Sequence, residues 1–344
     1  MRFSYVKGLD VLRFLGAVSV ICLHLGSSDF FKAHGLSRLH ILVSGTTGVQ
    51  LFYVISGFLI TSIIASEVAL TGKFSAARFL YHRTLRIFPL YYFALLTYVA
   101  IDSAGIQHVK SESLWWALLY SYNFVPRNLY DGWLGSFHTL ATEEHFYLLY
   151  ALIWFALMKF RASPVPVLLV MFGMSGPLNV LSLPFNEGYF LSRWTFNAWG
   201  PLLIGCMFGL YHHHWGPSLA RGRLAYLLAF VVLFLSQTIS FNSTTLSFAF
   251  GLLILHFATN QTRPSTQFLG LAPFKFLGGI SYGLYVWQSV IISTGPSRRL
   301  FYDPLLAATC VFVLATASWF LIERPMAKLR SRPNAAVAVV SVQH

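Results

Sequence analysis

The sequence predicts an all-α polytopic membrane protein of about ten transmembrane helices, with both termini on the cytoplasmic side (N-in/C-in). Three observations predict it. The 344-residue chain is 56% hydrophobic and 10% charged, with a mean hydropathy of +0.63, whereas a soluble domain carries about a quarter charged residues. Apolar stretches long enough, or nearly so, to cross roughly 30 Å of hydrocarbon recur along its whole length. Lysine and arginine fall unevenly on the two sets of loops that those stretches define.

The stretches lie at about 9–26, 48–66, 86–104, 138–160, 164–183, 194–212, 222–239, 243–260, 277–295 and 304–322. Met1–Gly8 is too short for a cleaved signal and no small-residue cleavage site follows, so the first stretch is expected to stay as a helix. Residues 113–125, with Trp115, Trp116, Tyr120 and Tyr122, are too short to span and read as an interfacial or re-entrant segment. With the N-terminus inside, sixteen Lys/Arg residues lie on the inner side, among them Lys73, Arg78, Arg83, Arg86 and Arg324, and seven on the outer side, among them Lys110, Arg127 and Arg193. Arg13 alone is left within the membrane. Residues 1–332 form one transmembrane domain, and 333–344 are expected to be a disordered cytoplasmic tail.

The net charge of +13 fits cytoplasmic loop bias and anionic lipid rather than nucleic acid, since no basic soluble domain is present. Cys22, Cys206 and Cys310 each lie inside an apolar run and read as reduced packing residues. No spacing points to a metal; His212-His213-His214 has no nearby carboxylate or cysteine set. No internal repeat of the transporter kind is visible.

Within this frame the ionisable and small residues of each stretch carry the functional reading. The first span holds Arg13 and His24, eleven residues apart. Eleven steps of about 100° return to roughly 20° from the start, so both share one face about 16 Å apart along the axis. Intramembrane ionisable residues are expensive and commonly functional. Asp10 precedes Arg13 by three residues and can pair with it. On the second span, Ser56-Gly57 lies mid-helix in Gly48–Ile60, where glycine permits close approach of another backbone or a ligand. At the start of the third, Arg83 and Arg86 share a face, so two guanidiniums at the cytosolic mouth either anchor the helix or grip phosphates.

The fourth span opens with Trp133–Tyr147, which places Glu143 and Glu144 in hydrocarbon from the outer side, the side of His24. Burial of either carboxylate costs several kcal/mol unless it is protonated or paired. Pointing about 100° apart, one suits a functional role and the other a structural one. A carboxylate from this pair holding the His24 imidazole is the expected couple. On the ninth span, Gly278, Gly279 and Gly283 allow tight packing while Tyr282, Tyr285 and Trp287 are placed to line a pocket. Glu323-Arg324-Pro325 closes the last span as an expected helix-end ion pair and stop signal.

Taken in order, these segments resemble the acyltransferase-3 family of integral-membrane acyltransferases, which includes bacterial O-acetylases of surface polysaccharides. The resemblance runs from Leu9 to Pro325 and rests on Arg13-x10-His24, Phe52–Ile60, Arg83–Pro89, Glu143–Tyr147, Ser281–Trp287 and Glu323-Arg324-Pro325. Gln50, His138-Thr139 and Gln288 depart from it, standing where many members have Asp, Trp-Ser and His. The fused extracytoplasmic domain of some relatives is also missing from this sequence.

The resemblance implies a ten-helix core and no permanently bound cofactor, with acyl-CoA, in particular acetyl-CoA, as co-substrate; the lack of an organelle-type targeting signal fits a bacterial inner membrane. It implies His24, Glu143 and Glu144 as catalytic, Arg13, Arg83 and Arg86 as donor-binding, and Asp10, Ser56, Tyr147, Tyr282 and Trp287 as pocket residues. The acceptor would be a sugar hydroxyl of a cell-surface or exported glycan, with membrane lipid as surroundings. Two alternatives stay open: a transporter or channel with a proton relay, and an acyltransferase acting on a lipid or small secreted metabolite.

Overall fold

A computed structural model describes residues 5–26, 45–182, 193, 198–214, 231, 243–292, 300–301 and 303–330. Among these residues all regular secondary structure is helical: α1 (Leu9–His24), α2 (Gly45–Thr71), α3 (Ala76–Ser103), α4 (Ser111–Leu118), α5 (Phe137–Phe160), α6 (Pro164–Ser182), α7 (Gly200–His214), α8 (Ser243–Thr259), α9 (Pro264–Phe268), α10 (Ala272–Ile291), α11 (Pro304–Ser318) and α12 (Arg324–Arg330). The expected span at 222–239 apart from Val231, the expected tail at 333–344, and the loop cations Lys32, Arg38, Arg221, Arg223, Arg298, Arg299 and Arg332 lie outside the described residues.

By length and composition three described helical stretches are apolar enough to cross a membrane: Thr46–Thr71, Ala76–Ser103 and Pro304–Leu329. Their outward faces, and that of α5, leave Leu96, Phe155, Val313 and Leu321 exposed. Such faces are stable against lipid, which is as apolar as they are.

Close helix contact replaces the hydrophobic drive that lipid cannot supply, and small residues set it. Gly57 of α2 meets α7 so closely that a Cβ there would lie 2.0 Å from Leu202 O; a Cβ on Gly205 of α7 would lie 2.2 Å from Val54 O. Gly57 and Gly205 thus give each backbone room beside the other. Gly278 of α10 performs the same service for α1, since its Cβ would sit 2.2 Å from Asp10 Cβ.

Two boundaries differ from the sequence reading. The third span was expected from residue 86, but α3 begins at Ala76, with Ser75 Oγ accepting from Arg78 N at 3.3 Å. The N-cap starts the helix among polar residues, so Arg83 and Arg86 sit two to three turns inside it and Arg83 is buried. At the other end of the chain, Glu323-Arg324-Pro325 neither stops the helix nor forms the expected ion pair. A π-helical turn at Trp319–Glu323 carries α11 into α12. Widening of the turn accommodates a proline that lacks an N–H and would clash in a regular helix. Glu323 accepts from Ser318 Oγ at 3.3 Å, and the Arg324 guanidinium lies 5.7 Å over the Phe320 ring.

Between α3 and α5 lies a stretch of α4 and three 3-10 turns, of which the segment expected to be interfacial, 113–125, takes in most of α4 and the first turn, Tyr122–Phe124. Buried Tyr122 ties it together: its hydroxyl accepts from Asp131 N at 2.8 Å and donates to Asp131 O at 2.6 Å. Tyr91 and Tyr92 of α3 hold α4 by donating to Ala117 O (2.6 Å) and Leu118 O (3.2 Å). The chain therefore enters α5 from a fixed direction.

Candidate active site

Five helices meet around a cavity of about 70 Å³. Helix α5 presents Thr139, Glu143 and Tyr147 to it at four-residue intervals, one above the other on one face. Helix α2 turns Ser56 toward it, while the next residue, Gly57, faces α7. Arg13 comes from α1, Arg83 and Arg86 from α3, and Tyr282 and Tyr285 from α10.

Glu143 organises this wall. Its Oε1 accepts from both the Ser56 and the Tyr147 hydroxyls. The Arg83 guanidinium lies 4.9 Å over the Tyr147 ring and 5.5 Å over Phe79. Tyr282 donates to Ile87 O at 2.9 Å, which fixes α10 against α3. Three guanidiniums thus face one carboxylate around a largely apolar enclosure, so the cavity attracts anions.

A second cavity of about 380 Å³ opens beside the first, lined by Ile63, Glu67, Arg78, Phe79, His82 and Ala327 together with Arg83 and Arg86. The two arginines line both cavities. At the wide cavity's edge Arg78 and Glu67 form an ion pair. Drug-sized ligands occupy pockets of roughly 300–1,000 Å³. The outer chamber has that size, and the inner one suits only a small group.

His24 lies elsewhere. Its Nδ1 is 2.6 Å from Gln288 Oε1, and Gln288 Nε2 donates to Ser136 Oγ at 2.6 Å. Ser136 stands at the start of α5, seven residues before Glu143, which is about 10 Å of helix rise. The expected contact between His24 and Glu143 or Glu144 is therefore not formed: Glu143 is engaged by Ser56 and Tyr147, and Gln288 occupies the place by the imidazole. Between the two levels, the Thr139 and Tyr285 hydroxyls hydrogen-bond to each other and Tyr53 donates to Thr139 O at 3.4 Å.

Three further residues depart from the sequence reading. Glu144 does not line the cavity, and its Oε1 has no hydrogen-bond partner among the described residues. The 100° step that brings Glu143 to the cavity turns Glu144 away from it. Asp10 makes no close salt bridge with Arg13, although its charge favours the Arg13 cation; Tyr5 donates to it at 2.5 Å, and its side chain packs into the space left by Gly278. Trp287 is buried edge-on to Phe93, with ring centroids 5.9 Å apart, because its neighbours Tyr282 and Tyr285 take the cavity face of α10. Tyr53 was missed as an ordinary residue of an apolar run, and Thr139 and Gln288 were noted only as departures from the family pattern, because their partners are not visible in sequence. For the histidine cluster, the ring of His212 packs edge-on to Phe58 at 5.8 Å, and the side chains of His213 and His214 lie outside the described residues.

Comparison with known proteins adds lineage to this geometry. The chain is similar to the peptidoglycan O-acetyltransferase OatA of Listeria monocytogenes (strain EGD-e), 24% identical over 366 residues that cover 95% of this chain and 57% of OatA. It is also similar to the O-acetyltransferase OatA of Staphylococcus aureus (strain NCTC 8325), 26% identical over 365 residues, 94% of this chain and 57% of that protein. YrhL of Bacillus subtilis (strain 168) is 26% identical over 362 residues, 94% of this chain and 55% of YrhL. The chain thus spans a little over half the length of these relatives. No solved structure matches it. The acyltransferase-3 family model, described as an acyltransferase domain, matches residues 6–324. That match takes in the Arg13, Ser56, Arg83, Arg86 and Glu143 cavity together with His24, and the chain belongs to the acyltransferase-3 family.

Proposed function

We propose that this chain is a membrane O-acetyltransferase that takes an acetyl group from cytosolic acetyl-CoA and transfers it to a sugar hydroxyl of a cell-surface or exported glycan. The observation that carries this reading is that Arg83 and Arg86 line both a cavity of about 380 Å³ and one of about 70 Å³; on this reading they form the neck between the two. A donor with a phosphate-rich head and a thin acyl-bearing arm fits that shape. Arginine forks match phosphate oxygens, and the pantetheine arm passes the neck toward Arg13. The relatives' names supply the acceptor class, a glycan.

Ten spans, N-in/C-in orientation and a bacterial inner-membrane location complete the proposal, supported by the Lys/Arg bias and by the exposed apolar helix faces. In that orientation the wide chamber opens to the cytosol and His24 lies toward the outer side. His24 acts as general base: it takes the proton of the acceptor hydroxyl as the oxygen attacks the thioester carbonyl. The tetrahedral intermediate expels the CoA thiolate, which takes up the proton. A positioned base contributes roughly 10²–10⁴-fold.

The test is release of free thiol from acetyl-CoA by purified protein, with and without a saccharide acceptor. Acceptor-dependent thiol release together with an acetylated sugar in the mass spectrum is expected. No thiol release under any acceptor would overturn the reading in favour of transport. Labelled acetyl retained on the protein, and lost in His24→Ala, selects a relay through acyl-His24; an unlabelled protein selects direct transfer.

A further inference from the structure

Gln288 is fully buried, and both ends of its amide are committed. Nε2 donates to Ser136 Oγ at 2.6 Å and Oε1 lies 2.6 Å from His24 Nδ1. Neither neighbour is loose. Ser136 is buried at the start of α5, and its carbonyl accepts from Thr139 Oγ1 at 2.8 Å. The following residue on α10, Ser289, has its Oγ 3.0 Å from the Tyr98 hydroxyl, which donates its one proton to Trp133 O at 2.6 Å. The last turn of α10 is thereby pinned to α3 and to the segment leading into α5.

An amide has a donor end and an acceptor end. With the donor end given to Ser136, the acceptor end faces the imidazole. A carbonyl oxygen at that distance from Nδ1 requires the proton to be on Nδ1, and in the neutral ring the basic lone pair is then on Nε2. The hydrogen bond on one nitrogen thus decides which nitrogen does the chemistry.

We infer that Gln288 is the positioning residue that holds His24 in the Nδ1–H tautomer, with Nε2 as the base. The inference rests on the reading of His24 as general base. It also explains why a neutral amide suffices where a carboxylate was expected. A carboxylate here would stand unpaired whenever the imidazole is neutral, and unpaired charge at this depth is costly. The amide fixes ring orientation and tautomer without adding charge.

The test uses the full chain in lipid nanodiscs with ¹⁵N-labelled histidine, His24 being assigned by the signals lost in His24→Ala. Wild-type His24 should show a protonated Nδ1 and an unprotonated Nε2. In Gln288→Leu the tautomers should mix. The turnover number for acetyl transfer should then fall, by less than the roughly 10²–10⁴-fold that loss of the base itself would cost, while KM for acetyl-CoA is unchanged. Gln288→Glu restores an acceptor opposite Nδ1 and should recover the Nδ1–H signal even if Gln288→Leu proves too unstable to isolate. A wild-type His24 protonated on Nε2, or a tautomer ratio indifferent to both substitutions, overturns the inference whatever the activity. Tautomers that respond while transfer does not would leave Gln288's role on the ring intact and overturn instead the reading of His24 as base.

Discussion

Arg83→Gln tests the neck directly. Arg83 is 8% exposed, stacks on Tyr147 and Phe79, and lines both chambers. Glutamine keeps some of its length and removes the charge and the planar fork. A hydrogen bond to a charged group contributes about 1.5–3 kcal/mol, so acetyl-CoA binding should weaken by roughly 10- to 150-fold at 1.4 kcal/mol per decade. Stability falls too, because a desolvated cation–π contact is worth about 2 kcal/mol. A comparison of two donors separates these effects. S-acetyl-pantetheine carries the thioester arm without the nucleotide phosphates. Its affinity for Arg83→Gln should stay within about twofold of wild type, as expected for a site that does not couple to the change. The preference for acetyl-CoA over the truncated donor should shrink by the full roughly 10- to 150-fold. Titration calorimetry on detergent-purified protein, with thermal melts as the check on folding, measures both. Folded Arg83→Gln that binds acetyl-CoA like wild type, or loses both donors equally, would refute phosphate recognition at the neck.

Glu143→Gln should lower the rate of acetyl transfer at least about tenfold, since one charge-assisted acceptor of two hydroxyls is lost. Glu144→Gln should leave the rate near wild type and hold or raise the melting temperature, because its Oε1 lacks a partner among the described residues; the opposite ranking in parallel assays would contradict the placement of the pair. Gly57→Ala drives a Cβ to 2.0 Å from Leu202 O and should cost about 1–3 kcal/mol by overpacking. Gly173→Ala, with nothing within 4 Å, should be neutral or stabilising, and equal melts for the two would count against close α2–α7 contact. Tyr122→Phe strips both hydrogen bonds from Asp131 and should cost about 1–3 kcal/mol; an unchanged unfolding midpoint would show that Tyr122 does not tie the α4 segment.

The helical class was legible in composition, because a chain with 10% charge has few ways to satisfy its backbone in lipid other than helices. Arg13, Arg83, Arg86, Ser56 and Glu143 could each be singled out as polar residues that an apolar helix must turn inward, but the sequence set Arg83 and Arg86 at the cytosolic mouth and Glu143 on the outer side, and only the structure places all five around one cavity. The His24–carboxylate couple was misread because sequence gives depth only to the accuracy of a helix boundary. Helix α5 begins at Phe137, so Glu143 lies nearly two turns inside it while His24 meets its first residues. The arginine pair was set too near the third span's start for the same reason, since the Ser75 cap is a local signal that the hydropathy of 86–104 hides. Gln288 read as a missing histidine. Only the partners at its two ends, more than a hundred residues away in sequence, reveal an orienting amide.

The most direct measurement is single-turnover acetyl transfer from labelled acetyl-CoA to a saccharide acceptor, comparing wild type with His24→Ala and with Arg83→Gln at saturating donor. His24→Ala should bind donor normally and transfer at a rate lower by about 10²–10⁴-fold, whereas Arg83→Gln should approach the wild-type rate once donor saturates. Transfer by His24→Ala at the wild-type rate would contradict a division of the bundle into a donor-holding neck and an imidazole that performs the chemistry.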